Sequence, residues 1–120
     1  PATSFYLKKP YGNFRGMIDA GVPVAVATDM NPGSTPNLSL PFAMTAGCLY
    51  GNLTPEEMLT AATLNGAVAI GMADRIGTLE VGKQADLVVW DAENLDQLIY
   101  RYGTNRAFSV YKNGKRVKSE

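Results

Sequence analysis

The period of apolar and polar positions changes along the chain, and each change marks an expected element. Residues 4–7 (SFYL) form a short β-prone run. In "PYGNFRGMIDAG", Phe14, Met17 and Ile18 recur at helical spacing, and Gly21 stands where a glycine closes a helix. Residues 22–29, "VPVAVATD", are almost continuously apolar and rich in β-branched side chains. That is the pattern of a strand buried on both faces, with Pro23 near its start where a missing ladder donor is tolerated. A turn over residues 30–36 leads into "LSLPFAMTAGCLYGN", a helix in which Pro41 must lie within the first turn. "TPEEMLTAATLNGAVAIG" opens with Thr54 as N-cap, Pro55 at the first helical position and Glu57 completing a capping box, and closes at Gly71. Strand, helix, strand, helix, helix predicts an α/β unit with parallel strands.

From residue 75 the spacing shortens. "RIGTLEVGKQADLVVWD" predicts a short strand, a turn at Gly82 and Lys83, and a buried strand over residues 85–90. In "AFSVYKNGKRV", the Asn113-Gly114 pair suits the type I′ turn of a hairpin. "ENLDQLIYRYG" between them reads as either a helical turn or a loop. Residues 1–74 are therefore expected to belong to an α/β unit and residues 75–120 to a small β module.

Composition narrows the function classes. The eleven basic and eleven acidic residues leave no net field to attract nucleic acid or an anionic membrane. Lys112, Lys115, Arg116 and Lys118 read as a solvated strand face. Cys48 is the only cysteine, so no disulfide can form within the chain, and the composition is compatible with the cytoplasm; its place on a helix marks it as core filler. No apolar run is long enough to span a bilayer. The chain begins at Pro1 and contains no histidine, and a piece of a longer protein is expected.

Asp29 is the candidate for chemistry. In parallel α/β folds the carboxyl ends of strands face the site, and a carboxylate directly after an apolar strand is costly to bury unless a metal, a cation or several donors meet it. An Asx turn explains the same residue equally well. A calcium loop starting at Asp29 and Asn31 fails, because the sixth position is Ser34 rather than glycine and the twelfth is Leu40 rather than glutamate. Gly33 and Ser34 precede a helix, but the lysine of a phosphate loop is missing.

Three stretches carry a resemblance: "ATDMNPGSTPNLSLPFAM", "LTPEEMLTAATLNGAVAIG" and "DRIGTLEVGKQADLVVWD". In this order and spacing they resemble the C-terminal part of the imidazolonepropionase family within the amidohydrolase superfamily. Gly77, Leu79, Gly82, Ala85, Asp86 and Leu87 are typical of the superfamily in general. Asp-x-Asn-Pro-Gly-Ser is the narrower signal. The resemblance implies an α/β fold, the last part of a (β/α)8 TIM-like barrel over residues 1–74, with its last two strands. Residues 75–120 would supply C-terminal strands of a small composite β-sandwich, with Asp86 a structural carboxylate there.

It also implies hydrolytic opening of 4-imidazolone-5-propanoate to N-formimidoyl-L-glutamate at one zinc or iron ion. Asp29 matches the carboxylate metal ligand and catalytic residue, while Asn31, Gly33 and Ser34 match positions that contact the small-molecule substrate or product. Asn31 and Gly33 could instead simply make the turn, and Ser34 could cap the next helix. The family's histidine ligands, including a His-x-His pair, and its propionate-binding Arg and Tyr have no counterpart here. One carboxylate cannot hold a catalytic metal that needs at least three protein ligands, so the chain alone is expected to be inactive and to bind no metal tightly. The expected partners exclude nucleic acid and membrane, and a homodimer is one assembly open to the complete protein. Alternatives are another enzyme of the superfamily, a cyclic amidase or a deaminase, and a non-catalytic folding or interaction module.

Overall fold

The computed structural model describes residues 1–118. Ser119 and Glu120, the end of the expected β module, lie outside them, as does the side chain of Lys118. The first part is helical, and its caps explain most of its boundaries. Helix α2 (Phe14–Asp19) begins at Asn13, whose side chain accepts the N–H of Gly16 at 3.0 Å. Helix α3 (Leu40–Gly51) begins at Ser39, whose hydroxyl accepts the N–H of Phe42, and Pro41 lies in its first turn as expected. Helix α4 (Pro55–Ala62) has the full capping box, with Thr54 Oγ1 accepting from the Glu57 N–H and Glu57 accepting from the Thr54 N–H.

The helix expected through Gly71 is broken at Thr63. Helix α5 (Leu64–Ala69) starts afresh after it. The Thr63 hydroxyl donates back to the Leu59 carbonyl at 2.6 Å, the β-branched back-bonding that disturbs a helix. Gly71 follows with φ 68°, closing the pair.

Neither expected parallel strand is present among the described residues. The run at residues 4–7 lies in helix α1 (Ala2–Leu7), closed by Lys8 in the left-handed region. With no neighbouring strand, its backbone groups bond along the chain. Residues 22–30 form neither helix nor strand, and of them only Val26 is buried. Its N–H donates to the Ala61 carbonyl at 3.0 Å, and the Val24 carbonyl accepts from Asn65 Nδ2 at 2.8 Å. Helices α4 and α5 thus supply partners that a ladder would otherwise provide.

The sheet is antiparallel and lies in the second part. Strands β1 (Leu87–Trp90), β2 (Ala107–Lys112) and β3 (Lys115–Lys118) pair in that order. Asn113 and Gly114 both take positive φ, 50° and 72°, which the type I′ hairpin requires. The short strand expected near residue 76 is a set of turns, closed by the Lys83 N–H on the Glu80 carbonyl and the Gln84 N–H on the Arg75 carbonyl. The strand expected over residues 85–90 begins at Leu87, and Val88 and Val89 on opposite faces are half exposed. Helix α6 (Leu95–Tyr100) settles the open reading of "ENLDQLIYRYG"; Asn94 accepts the N–H of Gln97 at its start. Asp86 is structural, as expected. It accepts from Gln84, from Lys112 and from the Asn113 N–H, and these bonds, led by Lys112, hold its carboxyl below the usual range. Lys112, Lys115 and Arg116 are solvent-exposed.

The core forms where α3 meets α4. Met58 is wholly buried, and its sulfur lies 2.5 Å from where a Cβ on Gly47 would stand. Ala2 of α1, Val26, Ala61 and Ile99 of α6 pack around this contact. The Thr45 hydroxyl on α3 reaches the Ile99 carbonyl at 2.8 Å, linking α6 to the same centre. Arg15 on α2 makes a two-pronged pair with Glu57, both bonds at 2.8 Å. Cys48 is half-buried on α3, and burial pushes its thiol up, which leaves it a poor nucleophile.

Two measurements test this architecture. Gly77 has φ 96°, and a Cβ there would stand 2.6 Å from the Ala67 Cβ and 3.2 Å from the Thr63 carbonyl oxygen; Gly82 has similar φ but open space. Chemical denaturation should give Gly82→Ala a loss of about 1–2 kcal/mol from strain alone, and Gly77→Ala about 2–4 kcal/mol. Glu57 is held below the usual carboxylate range, first by Arg15 and then by the Thr54 N–H. Its contribution is complete above about pH 4.3, the unfolded value, and is lost as pH falls through the lower folded value. Stability of Glu57→Gln should therefore fall less steeply on acidification than that of the native chain.

Candidate functional site

The segment of residues 22–28 leads to Asp29, which adopts φ 52°, a conformation aspartate tolerates better than most side chains. Its carboxylate is exposed, and Oδ2 accepts the Thr3 hydroxyl at 2.6 Å. Oδ1 has no hydrogen-bond partner among the described residues. Nothing local in the sequence marks Thr3: it lies 26 positions away, just before the run at residues 4–7.

The turn that follows is organised by Asn31. Its Oδ1 accepts the N–H groups of Gly33 and Ser34 at 2.9 and 2.8 Å, an Asx turn. Its Nδ2 donates to the Asp29 carbonyl and to Ser34 Oγ, each at 2.8 Å. The Asn31 N–H completes the loop by donating to the carbonyl of buried Thr35 at 2.9 Å. The four residues singled out in the sequence are thus brought together in one loop, with Asn31 bonded to each of the other three. Ser34 does not cap α3, which belongs to Ser39; the "NLS" before the helix carries that signal, since Asn37 also accepts the Ser39 N–H.

A groove of about 240 Å³ lies between α1 and α3, lined by Ala2, Phe5, Tyr6, Thr35 and Phe42 among others, and a second lies near Ile18 and Asn65. None of the four loop residues lines either one. Among the described residues no three His, Cys, Asp or Glu side chains come together to hold a metal. Asp29 has the chemistry of one donor, an exposed carboxylate with one oxygen uncommitted; the remaining donors of a metal site are not in this arrangement.

Comparison with known proteins places the chain in context. The model of the amidohydrolase family matches residues 1–119. An imidazolonepropionase from Shouchella clausii is 54% identical over 98% of the chain, and one from Geobacillus kaustophilus is 50% identical over all of it. The chain spans only 26% and 28% of their lengths. Among solved structures, an adenosine deaminase from Xanthomonas campestris with bound zinc superposes with a TM-score of 0.86 at 30% identity, over 99% of this chain and 31% of that one.

The loop geometry separates two glycine and asparagine roles. Gly33 does not take positive φ, and a Cβ there would meet only Asn31 Oδ1 at 3.4 Å. Gly33→Ala should change unfolding free energy by less than about 0.5 kcal/mol, whereas Asn31→Ala should cost about 1–3 kcal/mol by stranding the bonds it collects. Equal losses in denaturation would show that Asn31 does not organise the turn.

Proposed function

We propose, from the premise that this chain belongs to the amidohydrolase family, that it works as part of a longer imidazolonepropionase and contributes one carboxylate, Asp29, to its site. The reaction would be hydrolytic opening of 4-imidazolone-5-propanoate to N-formimidoyl-L-glutamate in the cytoplasm. The observation that carries this reading is 50–54% identity to two imidazolonepropionases along essentially the whole chain. A deaminase of the same family is the second reading, favoured by the likeness to the adenosine deaminase but at only 30% identity.

The domain organisation follows the same reading. Residues 1–74 would complete the end of a barrel and residues 75–120 a composite β-sandwich. Two observations support it. The segment at residues 22–28 is mostly apolar, pairs with no strand among the described residues and is largely exposed, the state of a strand whose neighbours lie elsewhere in a larger protein. The three-stranded sheet also leaves apolar side chains on both faces in contact with water.

A zinc or iron ion at the site would supply Lewis acidity. Asp29 would be one of its donors, with the others outside this chain. The rest can be argued for the chain's own groups. A carboxylate with Oδ2 held by a hydroxyl keeps Oδ1 available to take a proton and return it. Asn31, Gly33 and Ser34 offer an amide, a backbone N–H and a hydroxyl to a polar substrate bearing a carboxylate. Each of these groups already bonds within the loop, so substrate contact exchanges an internal hydrogen bond for one to the ligand.

In the complete protein, Asp29→Asn should abolish measurable ring opening, followed by loss of the imidazolone absorbance, while the native protein turns over this substrate and not adenosine. The 120-residue chain alone, supplied with zinc, should show no turnover. Full activity of Asp29→Asn, or preference for a purine substrate, would sink the reading.

A further inference from the structure

We propose that Thr3 is a positioning residue that fixes the plane of the Asp29 carboxylate, so that the oxygen it does not bond keeps a set direction; the inference rests on the reading of Asp29 as the site carboxylate. At 2.6 Å, the bond from Thr3 Oγ1 to Asp29 Oδ2 falls among charge-assisted O–H···O⁻ bonds, the stronger class of side-chain hydrogen bond. A hydroxyl can orient a carboxylate only if its own backbone is held, and here it is. Thr3 sits in α1 next to Ala2, which is buried in the core, and two residues before Phe5, whose ring packs edge-on against Phe42 of α3 at 5.1 Å between centroids. Its β-branched side chain is also stiff about its first torsion.

The other end of Asp29 is held independently. Asn31 Nδ2 donates to the Asp29 carbonyl at 2.8 Å, which fixes the backbone in its positive-φ conformation. With the carbonyl held by Asn31 and Oδ2 by Thr3, the side chain has little rotation left. Oδ1 is then the oxygen presented outward, to an ion or to a proton. Without the Thr3 hydroxyl the carboxylate plane turns about its last torsion, and neither oxygen keeps a set direction. Polar partners behind a metal-binding side chain commonly contribute ten- to hundredfold to affinity or turnover.

The test compares Thr3→Val, Thr3→Ser and Asp29→Asn in the complete zinc-loaded protein, measuring kcat and KM separately, zinc affinity by chelator competition, and the thermal midpoint. Thr3→Val should lower kcat or zinc affinity about ten- to hundredfold with KM within about twofold, and Thr3→Ser should stay within about threefold of the native protein in all of them. If Thr3→Val loses its thermal transition, Thr3→Ala is read by the same criterion. A Thr3→Val protein within threefold of native in kcat and zinc affinity, or a Thr3→Ser protein no better than Thr3→Val, overturns the positioning role. Wild-type kcat and zinc affinity in Asp29→Asn overturn the underlying reading of Asp29 instead.

Discussion

Met58 has no exposed surface, and it can be seated so only because Gly47 across from it has no side chain. That close approach of α4 to α3 sets the position of everything else in the helical part. Burying one such side chain is worth about 1.5–3 kcal/mol, and its neighbours Ala43, Ala61 and Val26 are shielded by the same contact. The Arg15–Glu57 pair then pins α2 to the start of α4, and Glu57 also closes the capping box there. One carboxylate therefore serves a helix start and a helix contact together. The loop bearing Asp29 inherits its position through Val26, which is buried in this core and bonded to Ala61 three residues before the loop begins.

Local chemistry was legible in the sequence and long-range partnership was not. Thr54, Pro55 and Glu57 announce α4 because a capping box is written within four consecutive residues, and Asn113-Gly114 announces its hairpin because only certain residues tolerate two positive φ angles. Asn94 carries the start of α6 in the same way, within a stretch whose spacing suits a helical turn or a loop. A strand is different in kind, since it exists only beside another strand. Residues 22–28 have every local mark of one, yet Ala61 and Asn65 take the backbone bonds a ladder would have made. The break at Thr63 was missed for a related reason: a threonine hydroxyl has two uses in a helix, and composition does not say which prevails.

The four loop residues were legible as a group, but their division of labour was not. The resemblance makes Asn31 a substrate ligand where its residue type also suits a turn, and the hydrogen bonds show how fully it is engaged in the turn. A loop whose donors and acceptors satisfy one another holds its shape without a ligand. Its residues are then preorganised, which lowers the ordering entropy that a ligand must overcome on arrival. The same satisfaction means that any ligand contact there would compete with a hydrogen bond inside the loop.

The three-stranded sheet has two margins of opposite character. Along β3, Lys115 and Arg116 are exposed to solvent and the strand is rich in charge. Along β1, the sequence Leu-Val-Val-Trp offers uncharged side chains beside backbone groups with no strand on that side among the described residues. Among the described residues, the border along β1 is thus the one where uncharged side chains and open backbone groups would accept a further strand.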